Sequence, residues 1–204
     1  STTCRKPFDV AFGNFGSEIV IVGIKYVLFF TFLANHAATR HASASFGRIG
    51  RLGTIQSYLS CAYLPNATCV VGTADGHLYV FEGSSRELAK SIKAHDGFIY
   101  SMDAPWHRAE QVRAIVLVTG ARDGDIKLWN GALEIISKFD NRGAGPIRSV
   151  FTSADSSRIL VGSQAAAQLR EFRTSDGVPT SVALAGGGAA AGELWGLAPH
   201  PVEK

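Results

Sequence analysis

Two segments of this chain, residues 72–83 (GTADGHLYVFEG) and 120–131 (GARDGDIKLWNG), follow the same pattern of residue types. Both read Gly-x-x-Asp-Gly-x-apolar-x-apolar-aromatic-x-Gly, and they start about 48 residues apart. Degenerate copies lie at 23–30 and 162–172. The closing aromatic residues of the four copies give a period of roughly 43 to 51 residues, and a period near 40–50 made of short strands is typical of propeller blades. The repeat therefore predicts an all-β fold of consecutive, similar sheets.

Each repeat unit is predicted to form a four-stranded antiparallel sheet. In the clearest unit we expect strands at 98–104, 114–119, 125–129 and 133–139. Asp-Gly at 123–124 and Asn-Gly at 130–131 predict two-residue type I′ hairpins, because both central residues of that turn need φ > 0. The chain is thus expected to be a segment of about four blades.

The spacing of the repeats predicts where each blade begins and ends. We expect a partial blade at 1–34, an inter-blade connection at 35–54, and blades at 55–95, 96–142 and 143–185. Residues 186–204 are expected to hold a flexible Gly/Ala run and the start of the next blade. Propellers close with about 4–8 blades, so we expect this segment to belong to a larger propeller.

An apolar stretch at 19–34 (IVIVGIKYVLFFTFLA) resembles a membrane span but is too short for one, since a spanning helix needs roughly 20 apolar residues. Lys25 at its centre would cost about 2.5–3.5 kcal/mol in a bilayer. Gly23 is a turn signal, and β-branched and aromatic residues flank it. We predict two buried strands joined by a tight turn, and no membrane partner.

Charge and cysteine content narrow the classes of partner and cofactor. The 20 basic and 17 acidic residues give a net charge of +3 and are spread evenly, which argues against a nucleic-acid interface. The 3 cysteines form no CxxC pair, and with no leader sequence visible they predict a reduced, intracellular protein. His36 and His41 lie in a loop without nearby cysteines, so no metal or other cofactor is expected.

One set of side chains in the third unit, His95, Thr119, Asp123 and Trp129, suits a chain of hydrogen bonds from indole to hydroxyl to imidazole to carboxylate. A hydroxyl, a histidine and an aspartate also suggest a hydrolase triad, but Thr119 is not on a nucleophile elbow. The neighbouring unit keeps only Asp75 and Phe81. We therefore predict a structural set, which is stabilising only when every member is satisfied, and no enzyme.

The arrangement resembles the WD-repeat β-propellers, and more narrowly the echinoderm microtubule-associated protein-like (EML) family. The resemblance covers most of residues 8–200, with weak stretches at 33–54 and 101–113. It rests on segments 69–83, 93–100, 117–131, 145–150, 159–162 and 192–200 (GELWGLAPH), the last containing the blade marker Trp195. Residues 8–12 together with 19–32 match an earlier blade. It implies a structural propeller that docks on tubulin, located in the cytoplasm on the cytoskeleton, with the axoneme of a cilium or flagellum as one setting. The alternative is a generic WD-repeat scaffold for other protein subunits.

Basic side chains in predicted loops and outer strands are the candidates for contact with the acidic surface of tubulin. For each of them, a solvated surface charge is the more common explanation. The set comprises Arg40, Arg48, Arg51, Lys90, Lys93 and Arg122.

Overall fold

The structure is a computed structural model that describes residues 6–13, 16–33, 41–105, 115–141, 143, 145–164 and 168–185. Within these ranges the regular structure consists of β-strands and one 3-10 turn, Gly83–Ser85, with no α-helix. No helix in the described ranges has the length and apolar character needed to cross a membrane.

The strands form four sheets, each of four strands that follow one another in the chain and pair antiparallel. The first sheet contains β1 (Pro7–Phe12), β2 (Glu18–Gly23), β3 (Tyr26–Leu33) and β4 (His41–Phe46). The second contains β5 (Tyr58–Tyr63), β6 (Cys69–Thr73), β7 (His77–Phe81) and β8 (Leu88–Lys93). The third contains β9 (Ile99–Asp103), β10 (Leu117–Ala121), β11 (Asp125–Trp129) and β12 (Ile135–Asp140). The fourth contains β13 (Ile147–Thr152), β14 (Arg158–Ser163), β15 (Gln168–Arg173) and β16 (Pro179–Ala185).

This architecture confirms the predicted all-β class and the four-stranded antiparallel sheets of WD-repeat blades. The apolar stretch at 19–34 forms β2 and β3, whose hairpin turns at Lys25 with φ 63°. The last three sheets lie inside the ranges 55–95, 96–142 and 143–185, while the exact limits of the blades stay a prediction.

The region 35–54 differs from the expectation that it is only a connection. His41–Phe46 forms β4, which pairs with β3 from Leu28↔Phe46 to Leu33↔His41. The first sheet is therefore complete rather than partial. The sequence HASASF contains small residues, and Ser43–Phe46 is exposed on both faces. It therefore lacks the alternation of buried and exposed positions that marks a half-buried strand.

The predicted type I′ turns are also wrong. The loop between β10 and β11 has three residues, in which Gly124 has φ 83° and its N–H donates to Ala121 O at 3.2 Å. A tight turn followed by a left-handed residue is the usual three-residue hairpin. At the Asn-Gly turn the left-handed residue is Leu133 (φ 59°), and Gly131 does not have positive φ.

The chain divides into two compact units, Ser1–Ile99 and Tyr100–Lys204. Each unit holds an apolar cluster between sheets. In the first unit residues of β2 and β3 pack against residues of β5–β8, including Val20, Val22, Phe29, Val71 and Phe81. In the second unit residues of β10–β12 pack against residues of β13–β15, including Ile126, Leu128, Ile147, Val161 and Phe172.

Polar contacts join the first strands of neighbouring sheets within each unit. In the first unit the Asp9 carboxylate on β1 accepts the Cys61 N–H of β5 at 2.9 Å. In the second unit the Ser101 hydroxyl on β9 accepts the Val150 N–H of β13 at 3.1 Å. Burial is the main cause that raises the pKa of Asp9, and the hydrogen bond from Cys61 lowers it in part.

The two cysteines in the described ranges, Cys61 and Cys69, are buried and carry free thiols. Burial raises the pKa of both thiols far above the ordinary range. The charge of nearby Asp9 raises the pKa of Cys61 further. Such a thiol behaves as a small apolar core group rather than as a nucleophile.

Candidate functional site

The segment 47–57, between β4 and β5, is an irregular loop held in place by backbone contacts. Gly47 N donates to Val27 O at 2.8 Å, and Arg48 forms a parallel bridge with Glu87. Further along, Thr54 N donates to the Tyr79 hydroxyl at 2.8 Å. We call residues 47–57 the tethered loop. Gly50, with φ 59°, provides a turn within this loop.

The tethered loop presents apolar and basic side chains to solvent. Leu52 is 56% exposed and Ile55 is 68% exposed, so both are largely uncovered for residues of their type. Arg51, which immediately precedes Leu52 in the chain, is also exposed. Arg48 differs, because it pairs with Glu87 at 3.0 Å and donates to Ser85 O at 3.1 Å. The loop thus combines one available cation with two exposed aliphatic side chains on a fixed backbone.

A largely buried ion pair lies where the tethered loop meets β8. The Arg86 guanidinium binds the Glu18 carboxylate, donates to the Thr31 hydroxyl at 3.2 Å, and lies 4.6 Å from the centre of the Phe29 ring. The Arg86 backbone O accepts the Arg48 N–H at 2.7 Å. Since Glu18 and Arg86 are 68 positions apart, no local sequence signal could have paired them.

One bond of the predicted hydrogen-bond set is present, the one between Trp129 and Thr119. The Trp129 indole N–H donates to the Thr119 hydroxyl at 3.0 Å, and both residues are fully buried. Asp123 lies in the exposed turn, where its carboxylate accepts the Asp125 N–H at 3.1 Å. His95 is buried in the first unit, and its backbone N–H donates to Gly76 O at 2.9 Å. The links through the His95 ring stay a prediction.

The second sheet contains a polar cluster that the sequence analysis did not anticipate. The Thr73 hydroxyl lies 2.6 Å from an Asp75 carboxylate oxygen and accepts the His77 N–H at 2.8 Å. His77 Nδ1 is 3.0 Å from the same Asp75 oxygen. Partial burial acts to raise the pKa of Asp75, but hydrogen bonds with Thr73, Gln56 and His77 outweigh it and lower that pKa to about 2. The cluster fixes the turn between β6 and β7.

The remaining predicted residues have different surroundings. Phe81 is buried, with its ring centre 5.6 Å from that of Phe29 in an edge-to-face arrangement. Lys93 donates to Asp75 O at 2.9 Å, whereas Lys90 is an exposed residue of β8. Arg122 lies in the exposed turn before Asp123. Three predicted residues lie outside the described ranges: His36, Arg40 and Trp195.

Residues 86–130 match the family described as WD domain, G-beta repeat. The chain carries a WD40 repeat. The match begins just before β8 and ends just after β11, so this WD40 repeat consists of the last strand of one sheet and the first three strands of the next. It contains Trp129 and Thr119, the linked pair of the third sheet. WD40 repeats mediate protein–protein interactions, so the match supports a scaffold role for a WD-repeat protein.

Proposed function

We propose that this is a structural, non-enzymatic WD-repeat protein of the echinoderm microtubule-associated protein-like type, and that it docks on tubulin in microtubules. Its location in this proposal is the cytoskeleton of the cytoplasm, including the axoneme of a cilium or flagellum. The resemblance of most of the sequence to that family supports the choice of tubulin. The observation that carries the docking mode is the tethered loop, in which Arg51, Leu52 and Ile55 are all exposed.

The composition of the tethered loop fits an acidic protein partner. Exposed charges at an interface steer encounter and set the salt dependence of binding, while buried apolar side chains supply most of its affinity. Arg51 provides the charge, and Leu52 and Ile55 provide the apolar area. Because hydrogen bonds to Val27, Arg86 and Tyr79 already order the loop, little conformational entropy is lost on docking.

Co-sedimentation of the full chain with polymerised tubulin tests this proposal. The protein should pellet with microtubules at low ionic strength, and the pelleted fraction should fall as salt screens the contact. Arg51→Glu should weaken apparent affinity about tenfold, which corresponds to roughly 1.4 kcal/mol. Lys90→Glu on β8 is the comparison variant, because it changes net charge equally at another exposed candidate residue that lies outside the loop.

Two results would count against the proposal in different ways. Failure of the unmodified chain to pellet at low salt would remove tubulin as the partner. Equal loss of binding in Arg51→Glu and Lys90→Glu would show that the interaction does not depend specifically on the tethered loop.

A generic scaffold for other protein complexes is the second candidate. The WD40 match favours it, since that match supports protein interaction without selecting a partner. An affinity purification with the full chain as bait separates the two candidates. Enrichment of non-cytoskeletal subunits that is lost in a Leu52→Asp, Ile55→Asp variant would support the generic scaffold, whereas enrichment of tubulin would support the first proposal.

A further inference from the structure

Strand β4 is an edge of the first sheet and lacks the features that usually protect a sheet edge. The strand order β1–β2–β3–β4 leaves one side of its backbone unpaired within the described ranges, and residues 43–46 are exposed. Such an edge is a template for pairing with another strand, and proteins usually block it with charged residues, proline or a β-bulge. Strand β4 (HASASF) contains no Lys, Arg, Asp, Glu or Pro, and its register with β3 is unbroken.

The outer strands of the other three sheets each carry some of this protection. Strand β8 contains Lys90 and Lys93, strand β12 contains Lys138, and strand β16 begins at Pro179. Each of these strands also pairs with its neighbour through a register shift. Of the four outer strands that the structure describes, β4 is thus the one without a charged residue, a proline or a register shift.

The backbone hydrogen bonds show which groups of β4 point away from β3. Gly47, the residue after β4, donates its N–H to Val27 O at 2.8 Å, and these two residues continue the register of the strands. Hydrogen-bonded and non-hydrogen-bonded pairs alternate along an antiparallel ladder, so Ser45 and Ser43 also bond to β3. The residues whose N–H and C=O groups point outward are therefore Ala42, Ala44 and Phe46.

These outward-facing groups are complementary to those of a second copy of β4. In an antiparallel pair centred on Ala44, Ala44 lies opposite itself and Ala42 lies opposite Phe46, with two N–H···O bonds at each pair. Ser43 then lies opposite Ser45, and no like charges face each other. We propose that the chain forms a dimer through this edge, in which the first sheets of two copies join into one continuous sheet about a two-fold axis at Ala44.

The distribution of charge favours a second copy at β4 over pairing at the other edges. Two copies of β8 would bring Lys90 and Lys93 of each copy together, and like charges across strands are destabilising. Neither β3 (YVLFFTFL) nor β4 contains Lys, Arg, Asp or Glu, so the strands nearest the two-fold axis oppose no such charges. Because one edge strand makes a small contact, we expect a dissociation constant in the micromolar range, as for weak and transient interfaces.

Sedimentation velocity of the full chain over a range of concentrations tests the proposal. The sedimentation coefficient of the unmodified chain should rise with concentration towards that of a dimer. Ala44→Lys should weaken self-association at least tenfold, because it places two like charges opposite each other at the two-fold axis. Ala89→Lys on β8 is the matched control, since it adds the same charge at an exposed alanine of another outer strand. This control should leave the dimerisation unchanged.

A charge-reversal experiment distinguishes a lost contact from a variant that fails to fold. Ala44→Lys and Ala44→Glu should each be largely monomeric alone, and an equimolar mixture of the two should form a heterodimer. The register centred on Ala44 requires this rescue, because it places the two opposite charges face to face. Replacing Ala44→Glu by Ala89→Glu in the mixture should give no rescue.

Disulfide trapping tests the register itself. Residues of a hydrogen-bonded antiparallel pair have Cα atoms about 5.5 Å apart, which is within the range of disulfides. Ala44→Cys, made with Cys4→Ser so that the other thiols are the buried Cys61 and Cys69, should therefore form a disulfide between two copies. The reaction should be at least tenfold faster than for Ala89→Cys in the same background.

Three results would overturn the proposal, and none of the measurements involves tubulin. The first is a chain that stays monomeric up to about 100 µM, which would leave β4 to an extended segment of another protein or of the same chain. The second is self-association that Ala44→Lys does not weaken. The third is an Ala44→Lys and Ala44→Glu mixture that does not associate.

Discussion

The second and third sheets place different chemistry at the same position of the fold. In the third sheet Trp129 closes β11 and donates to Thr119, whereas in the second sheet Phe81 closes β7 and shares an apolar cluster with Val71. Phe81 pairs with Cys69 as Trp129 pairs with Leu117, which shows that the two aromatic residues are structurally equivalent. The hydroxyl is present where the aromatic ring carries an N–H and absent where it does not. At this position the blade accepts different residues, provided that a buried N–H group has a hydrogen-bond acceptor.

The turns that precede these strands also differ. Both use a glycine with φ near 85°, Gly76 and Gly124. A Cβ at Gly76 would lie 2.0 Å from His95 O and 2.8 Å from Gly97 O, while a Cβ at Gly124 would have its nearest neighbour, Gly145 O, at 3.5 Å. The two glycines therefore share nearly the same φ, but only Gly76 is crowded by neighbouring backbone atoms.

Substitution of these two glycines should give the largest difference in the loss of folding stability between the two sheets. Gly76→Ala should destabilise the chain by about 4 kcal/mol or prevent folding, because two backbone oxygens block the new methyl group. Gly124→Ala should cost only about 1–2 kcal/mol, the price of a left-handed alanine. Urea denaturation of the full chain, followed by circular dichroism, measures both. Similar losses for the two variants would show that the backbone angle, rather than the crowding, dominates.

The aromatic position should give the next largest effect. Thr119→Val should cost about 2 kcal/mol, because it leaves the buried indole N–H without its acceptor. Trp129→Phe should cost a similar amount through lost volume and the lost hydrogen bond to the Thr119 hydroxyl. In the double variant, which reproduces the chemistry of Val71 and Phe81, the loss should be at least about 1 kcal/mol smaller than the sum.

Val71→Thr in the second sheet is the control for this cycle. It introduces a buried hydroxyl beside a Phe81 ring that has no N–H to offer, and should cost about 1–2 kcal/mol. Additive losses for Thr119→Val and Trp129→Phe would contradict a coupled pair in the third sheet.

The smallest effect concerns the polar cluster at the turn of the second sheet. The pKa of Asp75 is about 2 in the folded chain against an ordinary value of 3.8, because its hydrogen bonds outweigh the effect of partial burial. The ionised group therefore adds stability above about pH 4, and this contribution is lost as the pH falls through about 2. Asp75→Asn should cost about 1 kcal/mol at pH 6, a value reduced because the side chain is 45% exposed.

The difference between Asp75→Asn and the unmodified chain should narrow as the pH falls from 5 to 2 in equilibrium denaturation. Asp96→Asn, at a side chain that is 94% exposed, is the matched control and should leave the curve nearly unchanged. A difference that stays constant across this range would indicate that the carboxylate charge is not what stabilises the turn.

The repeat predicted much of the fold, because the Gly-x-x-Asp-Gly turns and the alternating apolar residues determine strands and hairpins from neighbouring residues alone. They located β6, β7, β10 and β11, and they indicated the Trp129–Thr119 link. Strand β4 was not predicted because Ser43–Phe46 is exposed on both faces and so shows no alternation of buried and exposed residues. The Arg86–Glu18 pair and the tethering of Thr54 to Tyr79 escaped because they join positions far apart in sequence, and only the folded backbone brings them together.

The two buried thiols of the second sheet can be used to measure how often that sheet opens. Cys61 and Cys69 have pKa values far above neutrality and are shielded from solvent, so an alkylating reagent can modify them only after the strands β5 and β6 separate. The rate of their modification, followed by mass spectrometry under native conditions, therefore measures local unfolding of this blade. It requires no dye, no substitution and no denaturant.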